Sequence, residues 1–115
     1  MTAPVSDETV AVTSGDDLRE VMRRYPAGDA ARFMDRVRAG VEECGEHFSV
    51  IDSGFAGDES VSLVFTVEGS VSHYIVVRQA DLVSVVWHKG ETDRATARTL
   101  GVRAADRLCA GTDTC

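Results

Sequence analysis

Long apolar runs, a surplus of positive charge and cysteines at metal-ligand spacing are all missing from this chain of 115 residues. A membrane-spanning helix needs about 20 consecutive apolar residues, and no stretch approaches that length. The formal net charge is −7 at pH 7. Nucleic-acid backbones and anionic membrane surfaces repel such a surface, so neither is expected as a partner. Met1 to Glu8 have no positive n-region and no apolar run, so they do not read as a signal peptide. Three cysteines, Cys44, Cys109 and Cys115, permit at most one internal disulfide and leave one thiol over. Their spacing matches neither a zinc knuckle nor a redox C-x-x-C, and no metal is predicted. No serine has a nucleophile-elbow context and no glycine-rich loop leads from strand to helix, so neither catalysis nor a cofactor is predicted.

What remains is ordinary globular composition, 43% hydrophobic and 27% charged. The length suits one domain with one core. Residues 1–13 read as a flexible arm, 14–110 as a single α+β domain and 111–115 as a loose tail. Ser14-Gly-Asp-Asp17 resembles a capping box and predicts a short helix carrying Leu18, Val21 and Met22 on one face. Tyr25-Pro26-Ala-Gly28 ends it, because Pro26 disfavours a helical Tyr25. Asp29 then opens an amphipathic helix with the stripe Ala30, Phe33, Val37, Val41 and Cys44, and Met34 beside it. Its charged residues form the solvated face.

From His47 the period changes to two, predicting strands over 48–55, 59–67, 71–79 and 82–88. Thr92 is the expected cap of a last helix with the stripe Ala97, Leu100, Ala104 and Leu108. The fold expected is therefore an antiparallel sheet of about four strands, two amphipathic helices packed on one face, and a short N-terminal helix. If Glu68-Gly69 and Ala80-Asp81 are two-residue hairpin loops, the register follows. Val61 then faces Val76, Leu63 faces Tyr74, Val76 faces Val85 and Tyr74 faces Trp87, all on one apolar side. The long helices are expected to cover that side. The opposite side carries Ser62, Val64, Thr66, Ile75, Val77, Ser84 and Val86, less polar than an open surface should be, and calls for a second cover or a partner.

His73 and His88 fall opposite each other on this second side. Two imidazoles alone make no metal site, and ordinary strand-end histidines are the simpler account. Tyr74 and Trp87 read as a stabilising cross-strand pair. Arg78 reads as a surface partner of Asp81, and Asp58 and Glu59 as turn residues that point to opposite faces and cannot flank one bond. Cys44 and Cys109 end two helices expected on one face, which makes Cys44–Cys109 the leading disulfide. Cys109–Cys115, or three free thiols, are the alternatives.

Residues 33–109 also carry an ordered set of short motifs. A helix ends in Cys44, then come Phe48, the run Phe55-Ala-Gly-Asp-Glu-Ser-Val-Ser-Leu63, His73-Tyr-Ile-Val-Val-Arg78, the valine strand 82–86 and a helix closing on Arg107-Leu108-Cys109. This order resembles the later half of the PknH-like extracellular sensor domains of actinobacterial kinases and related secreted lipoproteins. Gln79-Ala80-Asp81 depart from it where the family has a hydrophobic residue and Gly. The resemblance implies a non-enzymatic, extracytoplasmic sensor-like domain that binds a small molecule or protein, with disulfide-bonded cysteines. The binding residues expected are His73, Ile75, Val77, Val86 and His88 on the second sheet face. The alternative is a cytoplasmic interaction module that forms a homodimer through that face.

Overall fold

The computed structural model describes residues 8–14 as backbone, and residues 18–43, 45–90 and 93–110 with side chains. Six strands and two helices follow in the order β1 (Glu8–Ser14), β2 (Leu18–Arg24), α1 (Asp29–Glu43), β3 (Phe48–Ser53), β4 (Glu59–Val67), β5 (Ser70–Gln79), β6 (Leu82–Lys89) and α2 (Arg94–Ala110). The sheet is antiparallel throughout, in the order β1-β2-β6-β5-β4-β3. The α+β class and antiparallel sheet match expectation; the strand number, the N-terminal helix and the helix placement do not.

The β4-β5-β6 meander has the expected register. Val61 pairs with Val76, Leu63 with Tyr74, Val76 with Val85, Tyr74 with Trp87 and His73 with His88. Both hairpins turn in two residues. Glu68 and Gly69 both have positive φ, 50° and 81°. That is the signature of a turn whose twist suits a hairpin. At the second turn Ala80 has φ 55°, a left-handed conformation that costs an L-residue about 1–2 kcal/mol. Two polar contacts hold it there: the Ala80 N–H donates to Asp58 Oδ2 at 2.8 Å, and Arg78 Nη1 donates to the Ala80 carbonyl at 2.9 Å.

The segment predicted as a short helix is β2. Leu18, Val21 and Met22 fit a helical face, but the chain is extended and alternates. Arg19, Val21 and Arg23 pair with Trp87, Val85 and Val83, while Glu20 and Met22 pair with Val86 and Ser84 on the other side. The predicted capping box falls largely on residues 15–17, outside the described residues. Part of the predicted arm is strand β1.

The helices lie on opposite sides of the sheet. Ala30 and Met34 of α1 pack with Tyr25, Val61, Leu63, Val76 and Val83. Ala97, Ala104 and Leu108 of α2 pack with Met22, Ile75, Val77, Leu82 and Val86. α1 leaves β2 and crosses to the far edge at β3; α2 leaves β6 and returns across the other side. The α2 stripe includes buried Gly101 in place of Leu100, which is only partly buried. A Cβ on Gly101 would lie 2.3 Å from Phe55 Cε2, so the glycine admits the Phe55 ring. Thr92 lies outside the described residues; the Asp93 carboxylate accepts the Thr96 N–H at 2.6 Å and caps α2.

Two carboxylates tether α2 from the sheet. Glu20 on β2 is buried and accepts Ser84 Oγ at 2.6 Å and a two-pronged contact from Arg107 at 2.7 and 3.0 Å. Asp52 on β3 is buried and accepts from Arg94 at 3.0 Å and from Arg98 at 2.5 Å. Hydrogen bonds from Arg98, then Arg94, hold the Asp52 carboxyl far below the usual carboxylate range. Arg78 pairs with Glu59 at 2.5 Å and lies near Asp58 at 3.6 Å, rather than near Asp81. Asp58 thus serves the β5-β6 turn, while Glu59 joins Arg78 to Arg38 of α1, the latter at 3.2 Å.

Candidate functional site

The second sheet face, where the binding residues were expected, lies under α2. Ile75 and Val77 are 0% exposed and Val86 1%. His73 is buried, and its Nδ1 lies 3.1 Å from the Gly90 carbonyl. His88 is half-buried, with Nδ1 lacking a hydrogen-bond partner. The five residues are brought together, but as a helix-covered layer and its end. Among the described residues, no three His, Cys, Asp or Glu side chains gather as metal ligands.

The open side is the other one. α1 packs on Val61, Leu63, Val76 and Val83 and leaves part of the six-stranded sheet uncovered on its side. Its apolar stripe is accordingly split: Ala30 and Met34 are buried, whereas Phe33, Val37 and Val41 are only partly so. The uncovered area forms a groove with two lobes. The larger, about 540 Å³, is floored by Val21, Val83, Val85, Tyr74 and Trp87 and walled by Tyr25 and Phe33, with Arg19 and Arg23 at its rim. The smaller, about 350 Å³, runs under the second half of α1 between Val37, Val41, Leu63, Val76 and Phe48, with Arg36 beside it. Phe33, Tyr74 and Val85 line both lobes, so the lobes meet there. Small-molecule sites typically occupy about 300–1,000 Å³ with mostly apolar walls and a few polar groups.

The cations of this groove differ from six arginines elsewhere in the fold. Arg32, Arg38, Arg78, Arg94, Arg98 and Arg107 each have a carboxylate partner. Among the described residues, Arg19, Arg23 and Arg36 have none within salt-bridge distance, and Arg36 Nη1 is buried without any hydrogen-bond partner. A buried guanidinium nitrogen left unsatisfied is costly. Tyr25 stands between these charges. Its ring stacks on Phe33 with centroids 5.5 Å apart, and burial pushes its hydroxyl pKa up while Arg23 and Arg36 pull it down.

Sequence reasoning missed Arg19, Arg23 and Arg36 for a definable reason. Arg19-x-Val21-x-Arg23 becomes a pattern only when 18–24 is a strand, because alternation then sets both arginines on one face with a valine between them. Arg36 was absorbed into the solvated face of its helix. Tyr74 and Trp87 do form the expected pair, but both are only half-buried and floor the groove.

Cys109 is disulfide-bonded. Cys44 and Cys115 lie outside the described residues, so the pairing Cys44–Cys109 falls there too. Its premise, that both helices pack on one side, is corrected by the fold. No helix among the described residues is long and apolar enough to cross a membrane. No family model, curated protein or solved structure matches the chain.

Proposed function

We propose that this protein is a non-enzymatic binding domain that takes a small apolar ligand in the two-lobed groove beside α1. The observation that carries this is the half-covered sheet face itself. Val21, Val85, Tyr74 and Trp87 stand in a concave apolar surface that α1 leaves partly open. An isolated protein gains by covering such a surface, and a bound ligand does so. Among the described residues, no paired acid and base lines either lobe, which favours binding over turnover.

The resemblance to extracellular sensor domains agrees with a ligand-binding role, and the disulfide at Cys109 favours an oxidising, extracytoplasmic setting. Binding moves from the second sheet face to the first in this proposal, because α2 fills the second. Trp87 is the one tryptophan in the chain and lies in the groove floor, so its emission reports occupancy. Titration with monomeric n-dodecanol is expected to shift that emission saturably. Val21→Phe, which fills the larger lobe from a strand position that tolerates aromatics, is expected to weaken the response about tenfold without lowering the melting temperature. An unsaturable response, or one equal in Val21→Phe, contradicts the assignment.

A further inference from the structure

The groove is apolar inside and positive at its polar points, in a chain whose net charge is −7. That mismatch is local. Every carboxylate partner noted above serves arginines elsewhere, and among the described residues the guanidinium groups of Arg23 and Arg36 have none. Arg23 lies two residues before Tyr25 on the rim of the larger lobe; Arg36 lies one turn beyond Phe33, which stacks on Tyr25. The two arginines therefore flank one phenol where the lobes approach each other. Arg19 is four residues from Arg23 along β2, about 13 Å away at the usual strand rise, and stands at the Trp87 end. The walls between are valines and aromatic rings, and Phe33, Tyr74 and Val85 line both lobes. An apolar floor that continues along β2 and β6 through Val21, Val85 and Trp87 suits an extended alkyl chain.

We propose that the ligand is a free single-chain amphipathic anion of the fatty-acid type, its oxyanion head between Arg23 and Arg36 beside the Tyr25 hydroxyl and its chain along Val21, Val85 and Trp87. This rests on the groove being the binding site. A guanidinium holds a carboxylate through paired, charge-assisted hydrogen bonds, and the head supplies the counter-charge the fold leaves out. The acidic remainder of the surface repels an anionic bilayer, so the ligand arrives as a monomer rather than as part of a membrane.

The test uses the full chain and three probes of equal chain length, each below its micellar concentration: dodecanoate, n-dodecanol and dodecyltrimethylammonium. Trp87 emission gives the affinities. Dodecanoate is expected to bind about tenfold or more tightly than dodecanol, with the cationic probe weakest. Arg23→Gln and Arg36→Gln are each expected to remove most of the dodecanoate advantage while leaving dodecanol unchanged; Arg19→Gln is expected to have a smaller effect. Each methylene added from octanoate to dodecanoate should tighten binding about fourfold. Dodecanol binding as tightly as dodecanoate would overturn the anion assignment while leaving the groove as a site. If none of the three probes moves Trp87, the groove assignment itself fails. Tighter binding of cholate, a rigid-ring anion, overturns the single-chain assignment. Sedimentation with anionic phosphatidylglycerol vesicles overturns the free-monomer source, and a concentration-dependent dimer that excludes dodecanoate replaces the ligand by a second copy.

Discussion

Two backbone positions show how the fold accommodates left-handed geometry. Gly57 has φ 58°, and a Cβ there would sit 2.6 Å from the Arg78 carbonyl and 2.9 Å from Val77 Cγ1. Gly57→Ala therefore combines left-handed strain with a clash against backbone, and chemical denaturation should show a loss of about 2–4 kcal/mol. Ala80 is the reverse case, since its left-handed φ is tolerated only through the contacts from Asp58 and Arg78. Ala80→Gly removes the strain at some cost in unfolded-state entropy and should gain about 0.5–1 kcal/mol. Asp52 contributes to the acid sensitivity. Its folded pKa is depressed by Arg98 and Arg94, so it stabilises the fold fully above its unfolded value, about 3.9. That contribution is lost as pH falls from about 5 through the acidic range. Melting temperature in Asp52→Asn should accordingly fall less between pH 6 and pH 3 than in the parent.

At the scale of elements, α2 and α1 do different work. α2 is bolted down at both ends, by Asp52 near its start and Glu20 near its end, and shields the layer of Ile75, Val77 and Val86. Arg107→Ala leaves the buried Glu20 carboxylate with Ser84 alone and should cost about 1–3 kcal/mol by thermal or denaturant melting. Val77→Lys buries an unpaired charge and should abolish the cooperative transition altogether. α1 lacks such buried anchors among the described residues, and its half-open stripe is what leaves the groove. The meander was legible in the sequence because alternation and two-residue turns both constrain register, and they agreed. β2 was not, because seven residues with Leu18, Val21 and Met22 satisfy either period, and inward-facing Glu20 broke the alternation that marks a strand. Its carboxylate makes sense only against Arg107, 87 positions away.

For the molecule as a whole, the side each helix takes was beyond the sequence's reach. Amphipathic periodicity says that a helix has a buried face, not which side of a sheet receives it. Only the placement of β2 beside β6 decides that, and β2 was the element misread. The consequence reaches the cysteines. α1 ends near β3, whereas Arg107 and Leu108 near the end of α2 lie against β2, Leu82 and Met22. β2 and β3 are four strand steps apart, about 19 Å, and the helices occupy opposite sides. Bridged cysteines need Cα atoms within about 7 Å. Peptide mapping of protein kept from reductant should therefore find no Cys44–Cys109 peptide; such a peptide would contradict the helix placement.

The most direct test of the binding-face assignment is a backbone amide chemical-shift map of the labelled protein with and without saturating dodecanoate. The groove predicts shifts concentrated at Val21, Arg23, Phe33, Val85 and Trp87, with Ala97, Ala104 and Leu108 on α2 unmoved. Shifts centred instead on His73, His88 and α2 would show that the ligand enters from the other side of the sheet, and would contradict the account.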